Sequence, residues 1–184
     1  VNLTAITEPD EIILKHFVDS LTIFKYISDG TKVVDVGTGA GFPGIPLKIV
    51  RQDVDITLLD SLQKRINFLD EVINELDLEK ITTIHSRVED FGKDKKYREK
   101  FDIATSRAVA NLSTLSEYLL PLVKVGGKVI SMKGSLIQEE LENSKNAIKI
   151  LGGQIEKVDE FDLPNSDISR NIVLIDKIKN TPNR

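Results

Sequence analysis

The run Val33-Val34-Asp35-Val36-Gly37-Thr38-Gly39-Ala40-Gly41-Phe42-Pro43-Gly44 places four glycines in eight residues, directly after a β-branched stretch. A strand that runs into glycines and then a helix lets the backbone turn sharply and approach a ligand that a Cβ would exclude. Two ligand readings compete. Counted from Gly37, the pattern is Asp-x-Gly-x-Gly-x-Gly, a loop for S-adenosylmethionine (SAM). Counted from Gly39, Gly39-x-Gly41-x-x-Gly44 matches a dinucleotide fingerprint. The register favours SAM. The apolar run stops at Val36, which makes Gly37 the first turn residue. A dinucleotide loop needs the strand to continue through Thr38, and it would set Pro43, which has no amide donor, inside the pyrophosphate turn. A tight turn with no ligand is the third reading, and four glycines in so short a span argue against it.

The rest of the 184-residue chain alternates short β-like runs with helical ones, the pattern of one α/β domain with a mostly parallel sheet. Strands are expected over 32–36, 55–59, 81–84, 101–105 and 128–132, the last entered through a Gly126-Gly127 turn. Helices are expected over 43–50, 62–76, 113–120 with Ser113 as cap, and 136–151. An N-terminal helix capped by Asp10 would carry an apolar stripe of Ile13, Phe17, Leu21 and Phe24. Two strand-like runs close the chain, 154–163 and 171–178, joined by a Pro/Asn/Asp/Ser loop and read as an antiparallel pair. Five β–α alternations ending in a reversed strand predict a Rossmann-like class I SAM-dependent methyltransferase fold with a mostly parallel seven-stranded sheet. The expected division is an N-terminal helical segment at 1–30, a SAM-binding domain at 31–178 and the start of a C-terminal tail at 179–184. Neither Val1 nor Asn180-Thr181-Pro182-Asn183-Arg184 resembles a natural terminus, so a longer protein is expected.

Composition removes several chemistries. There is no Cys, hence no disulfide scaffold, thiolate metal site or Cys nucleophile of the kind used in pyrimidine C5 methylation. The two histidines, His16 and His85, form no metal-binding cluster and are each expected to be hydrogen-bonded structural residues. The chain lacks a Gly-x-Ser-x-Gly elbow, a phosphate loop ending in Gly-Lys-Ser/Thr, and an Asn-Pro-Pro-Tyr motif for exocyclic amines. No apolar run approaches the roughly 20 residues of a membrane span and no signal peptide is visible. A cytoplasmic location is the default expectation.

Candidate site residues follow from the strand ends. Asp60 ends the second strand, where a carboxylate can accept both ribose hydroxyls of an adenosine, or cap the following helix. Val88 and Glu89 follow the third strand, where an adenine edge is commonly read. Ser106 and Arg107 end the fourth strand, the usual substrate edge. Arg107 can pair with a cofactor carboxylate, a guanine edge or a phosphate. Lys133, at the end of the fifth, could meet a phosphate.

The stretch Asp35-Val36-Gly37-Thr38-Gly39-Ala40-Gly41-Phe42-Pro43-Gly44-Ile45-Pro46-Leu47, with Ser106-Arg107-Ala108-Val109-Ala110 and Met132-Lys133-Gly134, resembles the RsmG (GidB) family. So does Asn2-Leu3-Thr4-Ala5-Ile6 with His16-Phe17-Val18-Asp19-Ser20-Leu21. The resemblance implies a SAM-dependent methyltransferase, with S-adenosylhomocysteine as product, acting on N7 of one guanine in small-subunit (16S) ribosomal RNA. By motif position it implies that Gly37 and Phe42 contact SAM, with Gly39 in the same loop, that Val88 and Glu89 form the adenine-side pair, and that Arg107 is a cofactor-site Arg. The family carries an additional N-terminal helical region and a basic C-terminal tail. The expected partner is small-subunit rRNA or a ribosomal particle, with no membrane, no metal and a monomeric enzyme. A SAM enzyme for a small molecule or protein, and an NAD-binding oxidoreductase, remain as alternatives.

The formal net charge of −4 conceals a polarised chain. Residues 93–133 hold nine Lys/Arg against four acids, a local +5, which leaves −9 for the rest. The Lys-rich strip at 93–100 is therefore expected to support salt-sensitive RNA binding.

Overall fold

A computed structural model describes residues 5–107, 109–135 and 138–183. Seven strands form one sheet in the order β3-β2-β1-β4-β5-β7-β6: β1 Lys32–Val36, β2 Asp55–Asp60, β3 Ile81–His85, β4 Phe101–Arg107, β5 Val123–Lys133, β6 Gly153–Asp162 and β7 Ser169–Lys177. β1 to β5 pair in parallel, while β7 runs against both β5 and β6. The expected α/β class, strand count and reversed C-terminal strand all hold.

Alternate residues of the central strands feed two cores, as a sheet covered on both faces requires. Val34, Val36, Ala104 and Val129 point to one side, packed by Phe91 of α5 (Val88–Lys93), Leu112, Leu115 and Leu119 of α6 (Leu112–Leu119) and Ile148 of α7 (Gln138–Ile150). Val33, Ile56, Leu58, Ile103 and Ile130 point to the other. There they meet Ile45 and Leu47 of α3 (Gly44–Val50), Ile66 and Leu69 of α4 (Gln63–Glu75), and Ile23 and Ile27 of the N-terminal segment. Residues 5–30 therefore share a core with the sheet. Arg51 fastens them further, donating to the Ile27 carbonyl at 2.7 Å.

Local expectations fail in informative places. The N-terminal run comprises α1 (Pro9–Ile12), a π-turn over Ile13–Val18, and α2 (Asp19–Leu21). Asp10 lies inside the first turn, and Glu8 occupies the cap position without a side-chain bond. Ile13, Phe17 and Phe24 are exposed, whereas Asp19, Ser20, Ile23 and Ile27 are buried. The i→i+5 bonds of a π-turn rotate the helix face, so a stripe counted at the α period points the wrong way. Asn111, not Ser113, caps α6, accepting from the Thr114 amide at 3.0 Å. Asn and Ser are equally good caps, and Asn111 stands where the chain leaves β4. β5 starts at Val123, and Gly126-Gly127 belong to a bulge, with the register jumping between Phe101 and Ile103. The expected start of the long helix at 136, Asn2 to Thr4 of the entry segment, Ala108 and Arg184 lie outside the described residues.

Residues 177–182 are strapped down at the far end of the sheet. The Lys177 ammonium is fully buried, donating to the carbonyls of Leu120 (2.6 Å) and Val123 (2.9 Å) and to Thr181 Oγ1 (2.8 Å). It also pairs with Glu99 at 3.0 Å. Glu99 accepts from the Thr181 amide at 2.8 Å, and Arg98 donates to the Thr181 and Pro182 carbonyls, each at 3.0 Å.

Candidate functional site

β1 ends at Val36, and the glycine loop turns immediately after it. The Gly37 and Thr38 amides donate to the Leu59 carbonyl of β2 at 2.9 and 3.1 Å. Gly37, Gly39 and Gly41 take φ of +66°, +61° and +97°, values that favour glycine. Asp35 closes the loop from beneath, its Oδ2 accepting from Thr38 Oγ1 (2.7 Å) and the Gly44 amide (2.9 Å). Its Oδ1 is buried without a partner. Burial outweighs these bonds and pushes the Asp35 carboxyl up to about 6. β1 ends at Val36 and α3 opens at Gly44, so Gly37 is the first turn residue, the register expected of the SAM reading.

A cradle opens on the upper side of this loop. Nothing lies within 4 Å of where a Cβ on Gly39 would sit, whereas a Cβ on the exposed Gly37 would meet the Val109 side chain at 2.9 Å. Gly41 and Gly44 are closed below: a Cβ there would meet Ile45 at 2.4 Å and Leu58 at 2.2 Å. Asp60 stands beside the cradle at the end of β2. Its Oδ2 accepts from the Gly39 amide at 3.0 Å and from Arg65 at 3.3 Å, and its Oδ1 accepts from the Leu62 amide at 3.0 Å. It is thus both loop brace and helix-start acceptor. An open backbone concavity bordered by a carboxylate fits the adenosine-bearing SAM.

Phe42 and Arg107 form the wall on the β4 side. The Arg107 guanidinium carbon lies 5.2 Å from the Phe42 ring centroid. Arg107 donates to the Lys15 carbonyl (3.2 Å), to Asp19 Oδ2 (3.3 Å) and to His16 Nδ1 (3.0 Å). His16 stacks on Phe42, centroids 4.8 Å apart at 9°. Arg170, at the start of β7, donates to the other Asp19 oxygen at 3.0 Å. Burial pulls the Arg107 guanidinium down from its ordinary value, with Asp19 and Asp35 opposing. Sequence reasoning missed Asp19 and Arg170, while His16 is the hydrogen-bonded residue it expected, with Arg107 as the partner. The available signal was His-x-x-Asp, two polar residues one turn apart in an apolar segment.

The remaining candidates sit differently from a simple substrate edge. Ser106 has no exposed surface, and its hydroxyl donates to the Val36 carbonyl at 2.9 Å, tying β4 to β1. Lys133 is paired with Glu140 at 2.6 Å and donates to the Ala110 carbonyl at 2.7 Å, so its charge is largely compensated. Val88 and Glu89 open α5 and border a cavity of about 640 Å³ between α5, α6 and α7. Their link to the glycine loop is indirect, through the Ser86 amide bonded to the Asp60 carbonyl at 3.1 Å. The strip at 93–100 runs from the last residue of α5 to the residue before β4; Lys93 and Arg98 line the same cavity as Val88 and Glu89, and Lys100 lies at the end of β4 opposite Arg107. Seven residues of strand separate the two, roughly 23 Å. Among the described residues there is no cluster of three or more His, Asp or Glu able to hold a metal, and no helix long and apolar enough to cross a membrane.

Known proteins resemble this chain in sequence and in fold. The family model described as rRNA small subunit methyltransferase G matches residues 1–173. A Clostridium novyi protein named ribosomal RNA small subunit methyltransferase G is 56% identical over 184 residues, covering 99% of this chain and 76% of that protein. Its Acetivibrio thermocellus namesake is 57% identical, covering 100% and 76%. Among solved structures, a SAM-dependent methyltransferase from Aquifex aeolicus superposes with a TM-score of 0.66 at 17% identity, over 91% of this chain and 93% of that one. The cyclase SpnF gives 0.69 at 12%, over 88% and 80%. At such identities these two speak for the fold alone.

Proposed function

The chain belongs to the rRNA small subunit methyltransferase G family, and from that premise we propose that it transfers the methyl group of SAM to N7 of a guanine in small-subunit rRNA. The observation that carries the reading is the open space over Gly39, between the Asp60 carboxylate and the Phe42–Arg107 wall. SAM supplies an electrophilic sulfonium methyl group. In the proposed arrangement the bare backbone at Gly39 and the Asp60 carboxylate hold the nucleoside, and Val88 with Glu89 borders the adenine. Phe42 and Arg107 face the acceptor. Ser106 and Lys133 act from behind, fixing the β4 and β5 ends that present them.

Guanine N7 has an exposed lone pair and no proton to lose. The reaction needs no general base, and alignment of N7 with the methyl group can contribute several kcal/mol. The base must be unpaired or splayed out to reach the site, as RNA loops and ends allow. The proposed enzyme is a monomer acting in the cytoplasm on rRNA, free or within a ribosomal particle.

Transfer of labelled methyl from SAM to small-subunit rRNA and to precursor particles, followed by nucleoside analysis, tests the reading. N7-methylguanosine is the expected product. Label found only in protein or a small molecule overturns the RNA reading, and calorimetric binding of NAD in place of SAM overturns the cofactor.

A further inference from the structure

The four groups around Asp19 come from distant parts of the chain and meet at one point. His16 and Asp19 sit on the N-terminal run, Phe42 in the glycine loop, Arg107 at the end of β4 and Arg170 at the start of β7. Asp19 is 3% exposed, and each of its oxygens accepts from a different arginine. An Arg offers no lone pair, so His16 Nδ1 must be the acceptor and the ring proton sits on Nε2. This bond exists only for neutral imidazole. The guanidinium of Arg107 is thereby aimed by three acceptors and seated on the Phe42 ring, within the loop that forms the cradle.

We propose that Asp19 and His16 are positioning residues for methyl transfer: they hold Arg107 against Phe42 and so make the N-terminal run one wall of the acceptor pocket. This rests on the methyltransferase reading above. Neither residue need touch the reacting atoms; each acts through Arg107.

The device depends on pH. Burial and the neighbouring Arg107 charge draw the His16 pKa below its ordinary value, opposed by Asp19. The charged groups facing the cluster are Asp19 on the same run, Arg107 from β4, Arg170 from β7 and Asp35 from β1, which acts on Arg107. The clamp is intact above the ordinary histidine range. As pH falls through the lowered value, His16 gains a proton, loses its acceptor and repels Arg107.

The test uses the whole chain and has readouts independent of turnover. With two histidines in the sequence, His16 and His85, ring resonances can be followed separately by NMR. Asp19→Asn is expected to lower the His16 titration midpoint further and to reduce kcat at least tenfold. His16→Gln, which preserves an acceptor, is expected to retain at least tenfold more turnover than His16→Ala and to lose the acid limb of the pH–rate profile. Circular dichroism and SAM titration of each variant separate misfolding from misplacement. If Asp19→Asn does not fold, the Gln/Ala comparison at His16 decides. Equal turnover of the two His16 variants, or an unchanged acid limb in His16→Gln, overturns the proposal. A wild-type chain that binds SAM but does not methylate rRNA overturns the earlier reading instead, while the NMR titration still reports on the clamp.

Discussion

Glycines 39 and 44 lie five residues apart in one loop yet do different work. A Cβ at position 44 would drive into Leu58 at 2.2 Å and Asp35 at 2.9 Å, so Gly44→Ala is expected to destabilise folding by about 1–3 kcal/mol in urea titrations. Position 39 is open, so Gly39→Ala should cost about 1 kcal/mol through its positive φ. Its larger effect should be a loss of SAM affinity measured by calorimetry, because the new methyl enters the cradle. Asp35 makes a different prediction. Its folded carboxyl titrates near 6, above the ordinary 3.8, so the proton it retains favours folding at low pH. That advantage disappears as pH rises through 6. The stability of wild type relative to Asp35→Asn should therefore fall by on the order of 2 kcal/mol between pH 4 and 7. A gap that stays constant would mean that Asp35 does not titrate there.

At the level of elements, the strap at residues 177–182 hangs on Glu99. Glu99→Gln keeps the shape but removes the charge facing buried Lys177. The expected outcome is a loss of about 1–3 kcal/mol and faster hydrogen exchange at the Thr181 amide, which donates to Glu99. The elements themselves were largely legible. Periodicity located all seven strands and α4 to within about two residues, apart from the early start of β5, because apolar spacing reports burial directly. It failed over Ile13–Val18, where a π-turn breaks the assumed period, and at the α6 cap, where Asn111 and Ser113 compete on equal chemistry. The glycine loop and Asp60 were legible because their spacing encodes a turn. The Asp19–Arg107–Arg170 contact was not, since it joins positions 88 and 151 residues from Asp19, and no local pattern reports such pairing.

On the scale of the whole molecule, the chain's positive charge separates from its glycine loop. The cations at 93–100 lead into the end of β4 away from Arg107. Arg98 is engaged by the Gly92, Thr181 and Pro182 carbonyls. A short RNA hairpin confined to the candidate site should therefore show little change in the slope of log Kd against log salt, less than one, when Lys93, Lys95, Lys96 and Lys100 become Gln. A drop of three or more would mean that the RNA wraps to the far edge. The sheet order has a further outcome. β7 is made after both β5 and β6, yet it must enter between them, and only its reversed direction brings Arg170 to the same edge as Arg107. A chain emerging during synthesis holds the complete glycine loop more than a hundred residues before it can hold Arg170. If Asp19 positions Arg107 as proposed, a copy that ends before β7 lacks the arginine that shares Asp19, and would bind SAM yet be poorly assembled for transfer.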